Sequence, residues 1–264
     1  MYDFEYHKPG SLADAVKLLS ADPDARPISG GQTLLPALKH RLNKPTSVVD
    51  LSGIAELRGI KREGNKLVIG ALAKHVEVAT SPEVKAAIPA LAQMAGTIGD
   101  TQVRNRGTIG GSVANNDPAA DYPSAVLGLN ATIVTDKRRI AADDFFQGMF
   151  TTALEPGELL VAIEFPIPEK AGYAKMRNPA SRYVMAGAFV AKTGGAVRVA
   201  INGAGPGVFR QADMEKALTA NWSPDAVAGV TQPADGLNGD IHGSAEYRAH
   251  LVTVMAKRAI AAAG

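Results

Sequence analysis

Cysteine is absent from the 264 residues of this chain. Its absence excludes disulfide bonds, thiolate zinc sites, cysteine nucleophiles and any cysteine-ligated iron–sulfur cluster held by the chain itself. The chain also has almost no excess of one charge sign, because 28 Lys and Arg residues are balanced by 26 Asp and Glu residues. A chain with so little net charge lacks the positive surface that attracts nucleic acids and anionic membranes. We therefore expect no nucleic-acid partner.

Aromatic residues and long apolar runs are few as well. Trp222 is the one tryptophan, and it has no aromatic ladder around it for base stacking. The five histidines show no metal-ligand spacing with acidic residues, so no metal site is predicted.

The first ten residues lack the order of a secretory signal, and no apolar run reaches membrane-spanning length. We expect a cytoplasmic protein without a membrane span.

The hydrophobic pattern predicts an α+β chain. Ser11 precedes an amphipathic helix, and strand, helix and strand patterns then follow up to about Leu51, which is typical of a small β-α-β unit. Strand and helix patterns alternate again up to Arg177. The pattern then changes to two strands, at Val184 to Val190 and Ala196 to Asn202, and two helices, near Asp213 to Thr219 and Glu246 to Ala263, so a domain boundary is predicted near residue 175.

Two Gly-Gly pairs are the first chemical signal. Gly30-Gly31 lies between a predicted strand and a predicted helix, where glycines let backbone N–H groups approach an anion such as a phosphate. The segment matches neither the dinucleotide fingerprint nor the Walker loop. Taken alone, it is better interpreted as an ordinary strand-to-helix turn.

The second pair lies in a polar segment from Gly99 to Pro123, which is interpreted as a long functional loop. Gly110-Gly111 is accompanied by hydroxyls, two guanidinium groups and a carboxylate, on Thr108, Ser112, Arg104, Arg106 and Asp121. Such groups can bind a diphosphate and the hydroxyls of a sugar, which one dinucleotide would present together. A solvated loop explains the polarity, but it does not explain two diglycine turns separated by a subdomain.

These residues resemble a known family. The segments Gly30 to Thr33, Thr108 to Ser112, Asp117 to Asp121 and Glu155 to Leu160 are similar to the FAD-binding medium subunit of the xanthine dehydrogenase family, and within it to that of carbon monoxide dehydrogenases. The resemblance extends from His7-Lys8-Pro9 to Ala245-Glu246-Tyr247-Arg248. It implies the p-cresol methylhydroxylase-type fold, with an FAD-binding domain at 1–175, divided into subdomains at about 1–55 and 56–175. A C-terminal domain at 176–264 would hold a three-stranded antiparallel sheet with helices.

The resemblance also assigns a cofactor site. It implies diphosphate binding by both glycine segments, contact of Asp121 with the sugar-like chain of the flavin, apolar contacts from Ile98 and Leu160, Lys175 near the ring and Tyr183 over it. An ammonium group near the pyrimidine side would stabilise reduced flavin. From the residues alone, Lys175 also fits an exposed strand and Tyr183 a core position. The full set of cofactor-binding residues is Ser29, Gly30, Gly31, Gln32, Thr33, Leu34, Ile98, Thr101, Thr108, Ile109, Gly110, Gly111, Ser112, Asp121, Leu160, Lys175 and Tyr183.

The resemblance implies an electron-transfer subunit of a molybdenum hydroxylase, without a catalytic acid or base of its own. FAD would be bound non-covalently, since the chain has no cysteine and no histidine in a motif position. A small subunit would carry two [2Fe-2S] clusters and a large subunit the molybdenum cofactor, assembled as a dimer of heterotrimers. The substrate, whether carbon monoxide, an aldehyde, a purine or an N-heterocycle, would be selected by the large subunit, and the acceptor would be quinone, NAD or oxygen. Two alternatives stay open: a self-contained reductase using FAD and NAD(P)H, and a non-catalytic assembly subunit.

Overall fold

The computed structural model describes residues 1–263. Its first part contains the predicted β-α-β unit and one strand that was not predicted, β1 (Glu5–His7). The other elements are α1 (Leu12–Ala21), β2 (Arg26–Ile28), α2 (Leu34–Lys39) and β3 (Ser47–Asp50), and the three strands form a parallel sheet in the order β1-β3-β2. The Ser11 hydroxyl accepts a hydrogen bond from the Asp14 N–H, so the predicted cap of α1 is present. Ala15 and Leu19 of α1 are buried in a small apolar core with Val49. Two turns of 3-10 helix, Leu51–Gly53 and Ala55–Leu57, connect this unit to the next.

The second part contains an antiparallel sheet of five strands. The strands are β4 (Ile60–Glu63), β5 (Lys66–Gly70), β6 (Thr132–Thr135), β7 (Arg139–Ala141) and β10 (Leu160–Pro166), and a separate ribbon is formed by β8 (Phe146–Gly148) and β9 (Thr151–Thr152). The order in the five-stranded sheet is β4-β5-β10-β6-β7. Along β5 and β6, buried side chains alternate with partly buried ones, because one face of the sheet packs against helices.

Seven helices accompany this sheet: α3 (His75–Thr80), α4 (Pro82–Ala87), α5 (Pro89–Gly96), α6 (Thr101–Arg104), α7 (Ile109–Asn115), α8 (Tyr122–Gly128) and α9 (Ala142–Phe145). The interpretation of Gly99 to Pro123 as a long loop is wrong, because α6, α7 and the start of α8 lie within it. Its polar residues cap α6 and α7. The Asp100 carboxylate accepts from the Val103 N–H, and the Thr108 hydroxyl accepts from the Gly111 N–H.

The third part is an antiparallel sheet in the order β11-β12-β13-β14, with β11 (Lys170–Arg177), β12 (Val184–Thr193), β13 (Ala196–Asn202) and β14 (Phe209–Arg210). Its helices are α10 (Ala212–Ala220) and α11 (Ala245–Ala262), with a 3-10 turn at Pro224–Val227. Three strands are long, and the fourth adds only two residues to the predicted sheet. The α+β class is confirmed. The division at residue 175 stays a prediction, and that residue lies within β11.

Within residues 1–263, no helix is both long and apolar enough to cross a membrane. In the same range, no group of three or more histidine or acidic side chains is arranged to hold a metal ion.

Candidate cofactor site

The two glycine turns meet in the folded chain. The hydroxyl oxygens of Ser29 and Thr108 lie 3.0 Å apart, within hydrogen-bonding distance. A Cβ atom placed on Gly111 would lie 2.8 Å from the Ser29 hydroxyl oxygen and 2.9 Å from that of Thr108. A Cβ atom on Gly30 would lie 2.3 Å from the Arg106 carbonyl oxygen. Glycine is therefore needed at both positions for the turns to approach this closely.

The first turn presents free backbone donors. In the described part of the chain, the N–H groups of Gly30, Gly31, Gln32 and Thr33 donate to no protein acceptor. Gly31 has φ of +70°, a left-handed conformation that glycine adopts without strain. Successive N–H groups in a turn of this kind form a concavity that attracts anions. The turn is suited to phosphate oxygens.

The second turn is bonded differently. The N–H groups of Ile109 and Gly110 donate to the carbonyl oxygens of Ala73 and Ala71, and the Gly111 N–H donates to the Thr108 hydroxyl. A Cβ atom on Gly110 would lie 2.7 Å from the Ala71 carbonyl oxygen, so this glycine lets α7 pack against the end of β5. The resemblance implies the same role for both turns. The N–H groups of the second turn are already bonded within the chain, so it offers a ligand mainly the hydroxyls of Thr108 and Ser112.

Asp121 and Lys175 form a buried ion pair. The Lys175 ammonium lies 2.7 Å from one Asp121 carboxylate oxygen, and each side chain is only 6% exposed. The Tyr173 hydroxyl donates to the same oxygen at 2.7 Å, and Lys175 also donates to the Thr97 carbonyl oxygen at 3.2 Å. Burial raises the pKa of Asp121, while the charge and hydrogen bonds of Lys175 and the hydroxyl of Tyr173 act in the opposite direction.

Sequence reasoning missed Tyr173. Tyr173 and Lys175 are two residues apart on β11, so their side chains leave the strand on one face. That spacing was visible in the sequence. Only the pairing of β11 within the C-terminal sheet shows that this face is turned toward Asp121.

The remaining predicted site residues differ in how far they are buried. Leu160 is buried in the central core and Ile98 packs at its edge, whereas Gln32, Thr33 and Thr101 are exposed. Leu34 is the first residue of α2 and is half-buried. Tyr183 is 55% exposed, so it is not a core tyrosine. It lines a cavity of about 430 Å³ with Asp117, Phe150 and Arg248.

His75 is a second residue that the sequence did not indicate. Its backbone N–H donates to the Gly107 carbonyl oxygen, just before Thr108, and its ring lies 5.3 Å from that of Tyr122 between centroids. The buried His75 Nδ1 and Tyr122 hydroxyl have no hydrogen-bond partner within residues 1–263. Burial, with a smaller contribution from the positive charge of Arg104, lowers the pKa of His75 to about 4. His75 is therefore neutral at pH 7.

This geometry is suited to the diphosphate of a nucleotide, and comparison with known proteins gives the family. Residues 2–168 match the model of the FAD binding domain in molybdopterin dehydrogenase. The chain belongs to this family, as its residues predicted, and FAD is the cofactor of the domain.

Relatives and solved structures agree with this assignment. The chain is 36% identical to the carbon monoxide dehydrogenase medium chain of Hydrogenophaga pseudoflava, over 98% of this chain and 96% of the relative. It is 36% identical to the nicotine 6-hydroxylase medium subunit of Paenarthrobacter nicotinovorans, over 98% and 96%. A chain in the structure of reconstituted CO dehydrogenase from Oligotropha carboxidovorans superposes with a TM-score of 0.91 at 34% identity, covering 99% of this chain and 97% of that one. The chain is thus a medium-subunit component of an oxidoreductase.

Proposed function

We propose that this chain holds one FAD without a covalent bond and passes electrons from the iron–sulfur clusters of a partner subunit to an external acceptor. The observation that carries the proposal is the contact between the two glycine turns. It brings four free N–H groups of residues 30–33 beside the hydroxyls of Ser29 and Thr108. These groups fit the oxygens of a diphosphate.

Within this proposal each predicted residue has a task. Ser29 to Leu34 and Thr108 to Ser112 enclose the diphosphate, with Gly30 and Gly111 keeping the crevice narrow. Asp121 accepts hydrogen bonds from the hydroxyls of the flavin side chain, and Lys175 places a positive charge near the ring. Ile98, Thr101, Leu160 and Tyr183 complete the contacts. FAD, when bound, supplies two-electron redox chemistry, and the protein positions it and adjusts its potential.

The proposed partners are a small subunit with two [2Fe-2S] clusters and a large subunit with the molybdenum cofactor, in a dimer of heterotrimers. This chain has no cysteine, so cysteine-ligated clusters belong to another chain. The two relatives described above are medium subunits named for different substrates, carbon monoxide and nicotine. Substrate selection by the large subunit accounts for such variety with one flavoprotein fold.

Two measurements test the proposal. The purified chain is titrated with FAD, and we expect one FAD per chain that acid denaturation releases intact into the supernatant. The assembled complex is then compared with and without its flavin: without flavin, substrate should still reduce the clusters, but electrons should no longer reach the acceptor. Failure to bind FAD, or unchanged transfer to the acceptor without flavin, would overturn it. Turnover of NAD(P)H by the isolated chain would favour a self-contained reductase instead.

A further inference from the structure

The C-terminal sheet holds four successive residues of the polar segment that follows α7. The Gly203 N–H donates to the Pro118 carbonyl oxygen at 2.8 Å, and the Val184 N–H donates to that of Ala119 at 3.3 Å. The Asn202 side-chain amide donates to the Ala120 carbonyl oxygen at 2.7 Å. Tyr173 and Lys175 then bind the carboxylate of the fourth residue, Asp121. The position of Asp121 is thus set by another part of the chain.

The strand register leaves room for this polar cluster. Gly187 of β12 pairs with Lys175 on one side and with Asn202 on the other. A Cβ atom on Gly187 would lie 2.5 Å from the Asn202 side-chain oxygen and 3.0 Å from the Tyr173 hydroxyl oxygen. Glycine at this point of an otherwise apolar strand therefore preserves space between Tyr173 and Asn202.

The charges within the cluster balance each other. Asp121 is bonded to one ammonium group, and its side chain is as deeply buried as that of Lys175. Removing one member of a buried ion pair leaves an uncompensated charge, whose field acts strongly because water does not screen it. A redox group beside the pair would respond to the loss of either member, and the two responses would have opposite signs.

We propose that Asp121 and Lys175 act on the flavin as a compensated charge pair, so that the C-terminal sheet sets the reduction potential of the flavin through Lys175. This inference rests on the proposed function, since it requires FAD at the site. Reduction adds negative charge to the flavin, which an unbalanced ammonium favours and an unbalanced carboxylate opposes. The reduction potential of the flavin in the intact protein should therefore be lower than with Lys175 unpaired, and higher than with an ionised Asp121 unpaired.

The test is a double-mutant cycle on the FAD-loaded chain, with Asp121→Asn, Lys175→Met and the double variant, and FAD kept in excess. The midpoint potential is measured by equilibration with a reference dye. We expect Asp121→Asn to raise the ratio of reduced to oxidised flavin at least tenfold at a fixed potential, about +30 mV for a two-electron couple. Lys175→Met should lower this ratio by a similar factor at a pH high enough to keep the unpaired Asp121 carboxylate ionised, because burial raises its pKa. The double variant should return near the wild-type value.

Two controls separate the outcomes. Lys175→Arg keeps the charge and should leave the potential near wild type, and Lys192→Met removes a lysine at the exposed end of β12 and should not move it. Shifts of one sign in both single variants, or no shift in variants that still bind FAD, would overturn the inference while the proposed function stands. If the wild-type chain binds no FAD at all, the proposed function itself fails, and this inference fails with it.

Discussion

Ser29 and Thr108 are separated by 79 positions along the chain, and their hydroxyl oxygens lie 3.0 Å apart. Ser29 follows β2 of the parallel unit, whereas Thr108 caps α7 of the second part. A diphosphate held at this point would contact both parts at once. The affinity for the cofactor should therefore depend on how these two parts of the chain pack against each other, as well as on the groups that each turn offers.

Gly111→Val should fill the space between the two turns. The first added carbon would already lie within 3 Å of both hydroxyl oxygens. We expect the dissociation constant for FAD, measured by flavin fluorescence, to rise at least tenfold, which corresponds to about 1.4 kcal/mol. Gly207→Val is the matched control, because a Cβ atom there meets no atom within 4 Å. Equal FAD affinity in both variants would rule out the crevice between the turns as the diphosphate site. Gly110 is a poorer probe, since a side chain there would also collide with Ala71.

His75 should make the folded chain sensitive to mild acid. Its pKa is about 4 in the folded protein and near 6.5 in an unfolded chain, so the unfolded chain binds the proton more readily. This contribution to stability is full above about pH 6.5 and is lost as the pH falls toward 4. Urea unfolding of wild type and His75→Gln between pH 7 and 4 should show a shallower pH dependence for the variant. His250→Gln, at an exposed position, is the control, and parallel curves for wild type and His75→Gln would contradict the prediction.

Glu158 should stabilise the fold without taking part in cofactor binding. Its buried carboxylate accepts hydrogen bonds from Thr135, Arg138 and the Glu155 N–H, and these bonds, with Arg138 the largest contributor, lower its pKa to about 2. A depressed carboxyl pKa stabilises the protein above about pH 4.5, and the effect is lost as the pH falls toward 2. Glu158→Gln should lower the free energy of unfolding at pH 7 by about 1–3 kcal/mol.

The FAD affinity of Glu158→Gln should equal that of wild type, and the exposed Glu83→Gln should change neither quantity. A large loss of FAD affinity with unchanged stability would show that the Glu158 side chain itself contacts the cofactor.

Arg248 should tie the start of α11 to the C-terminal sheet. Its guanidinium donates to the carbonyl oxygens of Met185 and Gly203 and to the Asp240 carboxylate, and the residue is 5% exposed. Arg248→Met should leave two buried carbonyl groups without a donor, at a cost of about 1–3 kcal/mol each. Thermal unfolding should show a clear drop in Tm, and Arg62→Met on the exposed strand β4 should not. An unchanged Tm in Arg248→Met would mean that water replaces these bonds.

The local order of the chain was predictable because short-range forces decide it. The cap at Ser11, the β-α-β order up to residue 50 and the strands at Val184 and Ala196 follow from capping chemistry and hydrophobic period. The glycine segments and Asp121 were identified by residue type, and the family followed from their order. The polar segment from residue 99 was wrongly predicted to be a loop, because the residues that cap short helices are also typical of loops.

The sequence by itself determined the α+β class, the absence of a cysteine-held cluster and the presence of two glycine turns beside predicted helices, since these depend on composition and on neighbours within a few residues. The tertiary structure decided which turn keeps free N–H groups, and that Tyr173 and Lys175 reach Asp121 from a different sheet. These contacts join residues more than fifty positions apart. Their geometry depends on how helices and sheets pack, and the period of side chains along one segment carries no information about the segment it will meet.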